Sequence, residues 1–120
     1  MIKILPQSEG PTLVVEASKK LTTVDYEEVF IPELDRLIGQ FGKIRVVFYL
    51  DSSFEGWELG AMWDDAKFGL KHKNDFERIA MVGGPKWVAW FSNLGSHFMP
   101  GAIKAFETSE LENAIAWAKG

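Results

Sequence analysis

Seven consecutive residues, Ile44-Arg45-Val46-Val47-Phe48-Tyr49-Leu50, constrain the fold more than any other feature of the chain. A nearly unbroken apolar run of this length reads as a strand covered on both faces. Such a strand needs helices packed above and below its sheet. The flanking sequence supplies them. Met1–Leu5 and Thr12–Ala17 read as two opening strands joined through a Pro- and Gly-containing loop. Leu21 to Gly42 reads as a helix, with Phe30, Leu34, Leu37, Ile38 and Phe41 at helical spacing and Thr22 or Thr23 as its N-cap. Pro32 falls inside this helix and predicts a kink. Glu58–Lys73 reads as a second helix with Leu59, Met62, Trp63, Ala66 and Leu70 on one stripe. Phe76–Gly83 follows as a strand, Lys86–Phe98 as an unusually apolar helix, and Ala102–Phe106 as the last strand. Thr108 or Ser109 is expected to cap a closing helix that turns Leu111, Ala114, Ile115 and Ala118 inward.

The resulting order, β-β-α-β-α-β-α-β-α, predicts one α/β domain over residues 1–120. Its sheet should have five mostly parallel strands and an N-terminal hairpin. A chain of 120 residues is the length of one domain, and 47% apolar content is enough for a packed core. The net charge of −4 argues against a general nucleic-acid binder, whose footprint is basic. Zero cysteines remove disulfides, thiolate nucleophiles and cysteine metal sites. The opening Met1-Ile2-Lys3-Ile4-Leu5-Pro6 lacks the apolar core of a signal peptide, so a cytoplasmic location is expected.

The acidic excess sits wholly in residues 1–60, whereas residues 61–120 are balanced. A basic stretch with Lys67, Lys71, Lys73, Arg78 and Lys86 is followed by a run from Trp87 to Ile103 without Asp, Glu, Lys or Arg. Trp87, Trp90, Phe91, Leu94 and Phe98 form a helical stripe, and Val88, Ala89 and Met99 extend it around the helix. An apolar helical stripe is ordinarily core. A domain this small, however, rarely hides a helix's whole circumference, so the excess is expected to meet a ligand, a lipid surface or another subunit. Trp57 and Trp63 join this aromatic set from the preceding helix, and Lys67 and Lys71 are candidates to contact an anionic head group. The competing reading of the lysines is a solvated helix face.

Asp51-Ser52-Ser53 lies at the carboxyl end of the central strand, where open α/β sheets place ligands. Ser52 and Ser53 are therefore a candidate anion or phosphorylation site, with turn and capping chemistry as the simpler alternative. Catalytic groups are not expected. Asp64 and Asp65 are neighbours on one helix and diverge by about 100°. His72 and His97 are isolated, no serine sits in a nucleophile elbow, and Gly83-Gly84-Pro85-Lys86 lacks the spacing of a phosphate loop. Neither a cofactor nor a metal is implied.

The two opening strands, Phe48-Tyr49-Leu50-Asp51, Phe54-Glu55-Gly56-Trp57, the Trp63-Asp64-Asp65 helix and Arg78-Ile79-Ala80-Met81-Val82-Gly83 follow one another in an order that resembles the SpoIIAA-like superfamily. That group includes STAS domains and the related CRAL-TRIO lipid-binding domains, and the small stand-alone bacterial subgroup is the most similar. The resemblance covers essentially the whole chain. It implies a non-catalytic module. One version holds an apolar small molecule between helices and sheet, or docks on an anionic lipid surface at the membrane periphery. The other is a protein–protein regulatory module of the anti-sigma-factor-antagonist type, with a protein partner or a second copy. In those antagonists a serine in an Asp-Ser-Ser-Gly-type motif is phosphorylated. Here Phe54 stands in place of the glycine and the triplet sits earlier, at the strand end.

Overall fold

The structure, a computed structural model, describes residues 1–86 and 101–120. A five-stranded sheet forms the middle layer, in the order β1 (Ile2–Ile4), β2 (Thr12–Ala17), β4 (Ile44–Leu50), β6 (Phe76–Gly83) and β7 (Ala102–Phe106). β1 runs antiparallel to β2, and every other pairing in this sheet is parallel. The mixed α/β architecture expected from the sequence is the one observed. β4 sits at the centre, as its apolar run requires. Val46 lies beside Leu13 on one side and Ile79 on the other, and Val47 lies between Val14 and Ala80.

Alternation along these strands separates two cores. Leu13, Val15, Ala17, Ile44, Val46, Phe48, Leu50 and Phe76 face α1 (Ile31–Phe41) and α2 (Leu59–Lys71). Val14, Val47, Ala80 and Val82 face α3 (Leu111–Lys119) through Ala114, Ile115 and Ala118. Gly101 lets β7 approach β6: a Cβ there would stand 2.2 Å from the Phe76 carbonyl oxygen. Two further strands, β3 (Lys20–Leu21) and β5 (Gly56–Trp57), pair in parallel as a small second sheet. Their length of two residues leaves no periodicity to read.

Three expectations need correction in detail. The helix before α1 begins with a π-helical stretch, Asp25–Phe30. The Ile31 N–H reaches back to the Tyr26 carbonyl, and Pro32 falls in the first turn of α1. A proline there lacks an amide hydrogen and crowds the preceding turn, and the wider π turn gives it room. The expected cap at Thr22 is present as a reciprocal pair. The Asp25 N–H donates to Thr22 Oγ1 at 3.1 Å, and the Thr22 N–H donates to Asp25 Oδ2 at 2.9 Å. At the closing helix the cap is Glu107 rather than Thr108 or Ser109. It forms a capping box with Glu110 at the start of a 3-10 turn, Thr108–Glu110, because a glutamate three residues on can return the hydrogen bond.

The third correction concerns α2. Its apolar stripe is turned to the outside: Leu59, Met62, Trp63 and Leu70 are 85%, 52%, 66% and 74% exposed. The inward face carries Ala61, Asp65, Phe68 and Gly69. The helix expected over residues 86–98 falls, beyond Lys86, outside the described residues.

Candidate functional site

Among the described residues, the sheet face beneath α1 and α2 is built from large side chains that leave a gap. Phe30 meets Tyr26 edge-on at 5.4 Å and Phe48 at 5.0 Å. Phe68 of α2 meets Phe76 at 6.2 Å, and Phe54 meets Trp57 at 5.1 Å. Such edge-to-face pairs stabilise by about 0.5–1.5 kcal/mol each beyond their burial. They also hold the rings at fixed angles, and rings at fixed angles leave gaps. The gap here is a cavity of about 250 Å³. Its floor is Val46, Phe48, Phe76, Ile79, Met81 and Ile103 of the sheet. Its walls are Phe30, Ile31 and Leu34 from one helix and Phe68 and Gly69 from the other.

Among the described residues, one hydrogen-bonded polar cluster interrupts this apolar lining. The Trp57 Nε1–H donates to Tyr26 Oη at 2.8 Å, and the Tyr26 hydroxyl donates to Asp65 Oδ1 at 2.9 Å. All three residues line the cavity. The π-helical turn carries Tyr26, β5 carries Trp57, and the inward face of α2 carries Asp65. Asp65 is exposed as a residue and also lines the cleft. Desolvation there raises the carboxyl above the ordinary aspartate range and outweighs the Tyr26 hydrogen bond, which lowers it. Burial, and then the negative charge of Asp65, push the Tyr26 hydroxyl well above the ordinary tyrosine value. The phenol is therefore a hydrogen-bond donor across the physiological range and not a base.

At the far end of α2, His72 ties the helix down. Its ring lies 4.5 Å from that of Phe68, its Nδ1 is 2.8 Å from Asp75 Oδ2, and its Nε2 is 3.9 Å from Asp35 Oδ1 of α1. Among the described residues no group of three or more His, Asp or Glu is placed to hold a metal ion. No helix among them is long and apolar enough to cross a membrane.

The residues singled out from the sequence fall in three places. Trp57 lines the cavity. Trp63, Lys67 and Lys71 lie exposed on α2, away from the cavity lining. Trp87, Trp90, Phe91 and Phe98 lie outside the described residues. Ser52 and Ser53 are exposed in the turn after β4. There the Ser53 N–H and hydroxyl both donate to Asp51 Oδ1, at 2.8 and 2.7 Å, and Ser53 Oγ accepts the Lys19 N–H at 3.2 Å. Ser53 thus stitches two loops together, while Ser52 is not part of that network. Sequence reasoning missed Tyr26 as a site residue and set Asp65 aside. The spacing Ala61, Asp65, Phe68, His72 on α2 is the signal that brings Asp65 inward.

Comparison with known proteins agrees with the architecture. The family model described as SpoIIAA-like matches residues 12–119. A solved structure from Shewanella loihica PV-4, an uncharacterized protein from the DUF3478 family with a SpoIIAA-like fold, is 30% identical in sequence and superposes with a TM-score of 0.77. The match covers 98% of this chain and 92% of that one. No curated protein matches.

Proposed function

The chain belongs to the SpoIIAA-like family, a fold that supports regulatory or binding modules, and we propose that it is a non-catalytic module that takes an apolar small molecule into the cleft between α1, α2 and the sheet. The observation that carries this reading is the cavity of about 250 Å³ with aromatic walls and one hydrogen-bonded polar cluster. Ligand sites have this character: mostly apolar, with a few convergent polar groups that orient the guest. A cytoplasmic location fits the reading. Native mass spectrometry of the freshly purified protein is the test. A co-purifying small molecule that Ile79→Phe expels supports the proposal. A bare chain that also fails to take up any apolar probe sinks it.

A second reading rests on the outward stripe of α2. Leu59, Met62, Trp63 and Leu70 face solvent beside Lys67 and Lys71, which suits an anionic lipid surface or a protein partner, including a second copy of the chain. Sedimentation with anionic vesicles at low salt, lost on Trp63→Ala, supports the lipid version. Concentration-dependent oligomers lost on the same substitution support the protein version. In that regulatory setting Ser52 is the serine we propose for phosphorylation, since its side chain is exposed outside the Ser53 network. Intact-mass analysis after incubation with a kinase-containing lysate checks it, and no mass gain counts against it.

A further inference from the structure

The polar cluster of the cleft is one-sided in its chemistry. Tyr26 Oη accepts from Trp57 and donates to Asp65, so its hydroxyl proton and one lone pair are used within the protein. The Asp65 carboxylate accepts from Tyr26 through Oδ1, while Oδ2 makes no hydrogen bond to the described residues. What the cleft offers a guest is therefore a negatively charged acceptor. Asp65 is the carboxylate among the described lining residues; Asp64, the residue before it, does not line the cavity. Among the described residues, no lysine or arginine lines the cavity. The lysines that the sequence offered for an anionic head, Lys67 and Lys71, are exposed on α2 and do not line it.

We infer that the cleft selects small amines, with the protonated nitrogen on Asp65 Oδ2 and the hydrocarbon against Phe30, Phe48, Phe68 and Met81. This rests on the cleft being a ligand site, and it names the class of ligand. Carboxylates and phosphates meet like charge there, and an alcohol can donate only one uncharged hydrogen bond. The raised carboxyl of Asp65 agrees, since an acid that desolvation disfavours as an anion gains from a cation beside it. Size follows from volume. A cleft of about 250 Å³ has room for a guest built on one substituted ring.

Benzylamine, benzyl alcohol and benzoate share one ring and differ at the head, so they form the test, read by calorimetry and ligand-observed NMR on the full chain. Benzylamine is expected to bind at least about tenfold more tightly than benzoate, with the alcohol between them. Asp65→Asn should reduce the amine-to-benzoate ratio to about threefold or less, and Ile79→Phe should abolish binding of all three. Benzoate binding as tightly as benzylamine, with Ile79→Phe still abolishing both, overturns the amine assignment and leaves the cleft as a ligand site. Failure of all three to bind removes the ligand site itself and the assignment with it.

Discussion

The two faces of the sheet use the same strands and opposite packing strategies. Toward α3 the strands present Val14, Val47, Ala80 and Val82, and the helix answers with Ala114, Ile115 and Ala118. Small side chains let helix and sheet come close, and Val14, Val47, Ala80, Val82, Ala114 and Ala118 have no solvent exposure. Toward α1 and α2 the same strands present Phe48, Phe76, Ile79 and Met81, and the helices answer with Phe30, Leu34 and Phe68. Large rigid rings line the cleft left between the layers. Residues one step apart on a strand thus serve different ends: Val47 closes a core, and Phe48 helps to keep a space open.

Substitutions that exchange the two strategies should separate them. The largest effect is expected from Leu34→Ala. It deletes a buried wall of the cleft, and chemical denaturation should show a loss of about 2–5 kcal/mol. Next is a paired comparison of added volume. Ala118→Leu on the filled face should cost about 1–3 kcal/mol through overpacking. Ile79→Phe, which adds its atoms to an existing void, should stay within about 1 kcal/mol of the parent. Equal losses at the two positions would mean that the faces are packed alike.

A smaller, pH-dependent effect is expected from Asp65→Asn. A carboxyl whose folded-state value is raised leaves the native state binding protons more tightly than the unfolded chain. Its ionised form therefore weakens the fold at neutral pH, and that penalty disappears as pH falls through the raised value toward the ordinary 3.8. The asparagine variant, which can still accept the Tyr26 hydrogen bond, should melt above the parent at pH 7 and level with it in acid. Asp25 provides the opposite control. Partial burial works to raise it, but hydrogen bonds from Thr22 and the Met1 ammonium lower it overall. Its contribution to stability is present above the ordinary aspartate value and is lost as pH falls through the depressed one. The smallest effect is expected from Trp63→Ser, which removes an exposed ring and should change the melting temperature little.

The strand framework beneath this contrast was legible in the sequence, and the limits of that reading have physical causes. Ile44–Leu50, Phe76–Gly83 and Ala102–Phe106 were read with their observed boundaries, because apolar runs end sharply at glycine and at polar turns. The facing of α2 was not legible. Its strongest apolar stripe points outward, and its inward face contains an aspartate and a glycine. Hydrophobic periodicity identifies the stripe but not the side on which the sheet lies. The cavity escaped for a related reason: whether packed rings enclose a void depends on their angles, and composition does not record angles.

The widened turn at Asp25–Phe30 also sets the aim of Tyr26. Each residue of a helix turns the following side chains by about 100°. Deleting one residue from this stretch, to tighten the coil to ordinary winding, would swing either the phenol or the rest of α1 out of alignment. The irregularity that accommodates Pro32 is thus a rotational adjustment, and it fixes which side chain faces the acid across the cleft.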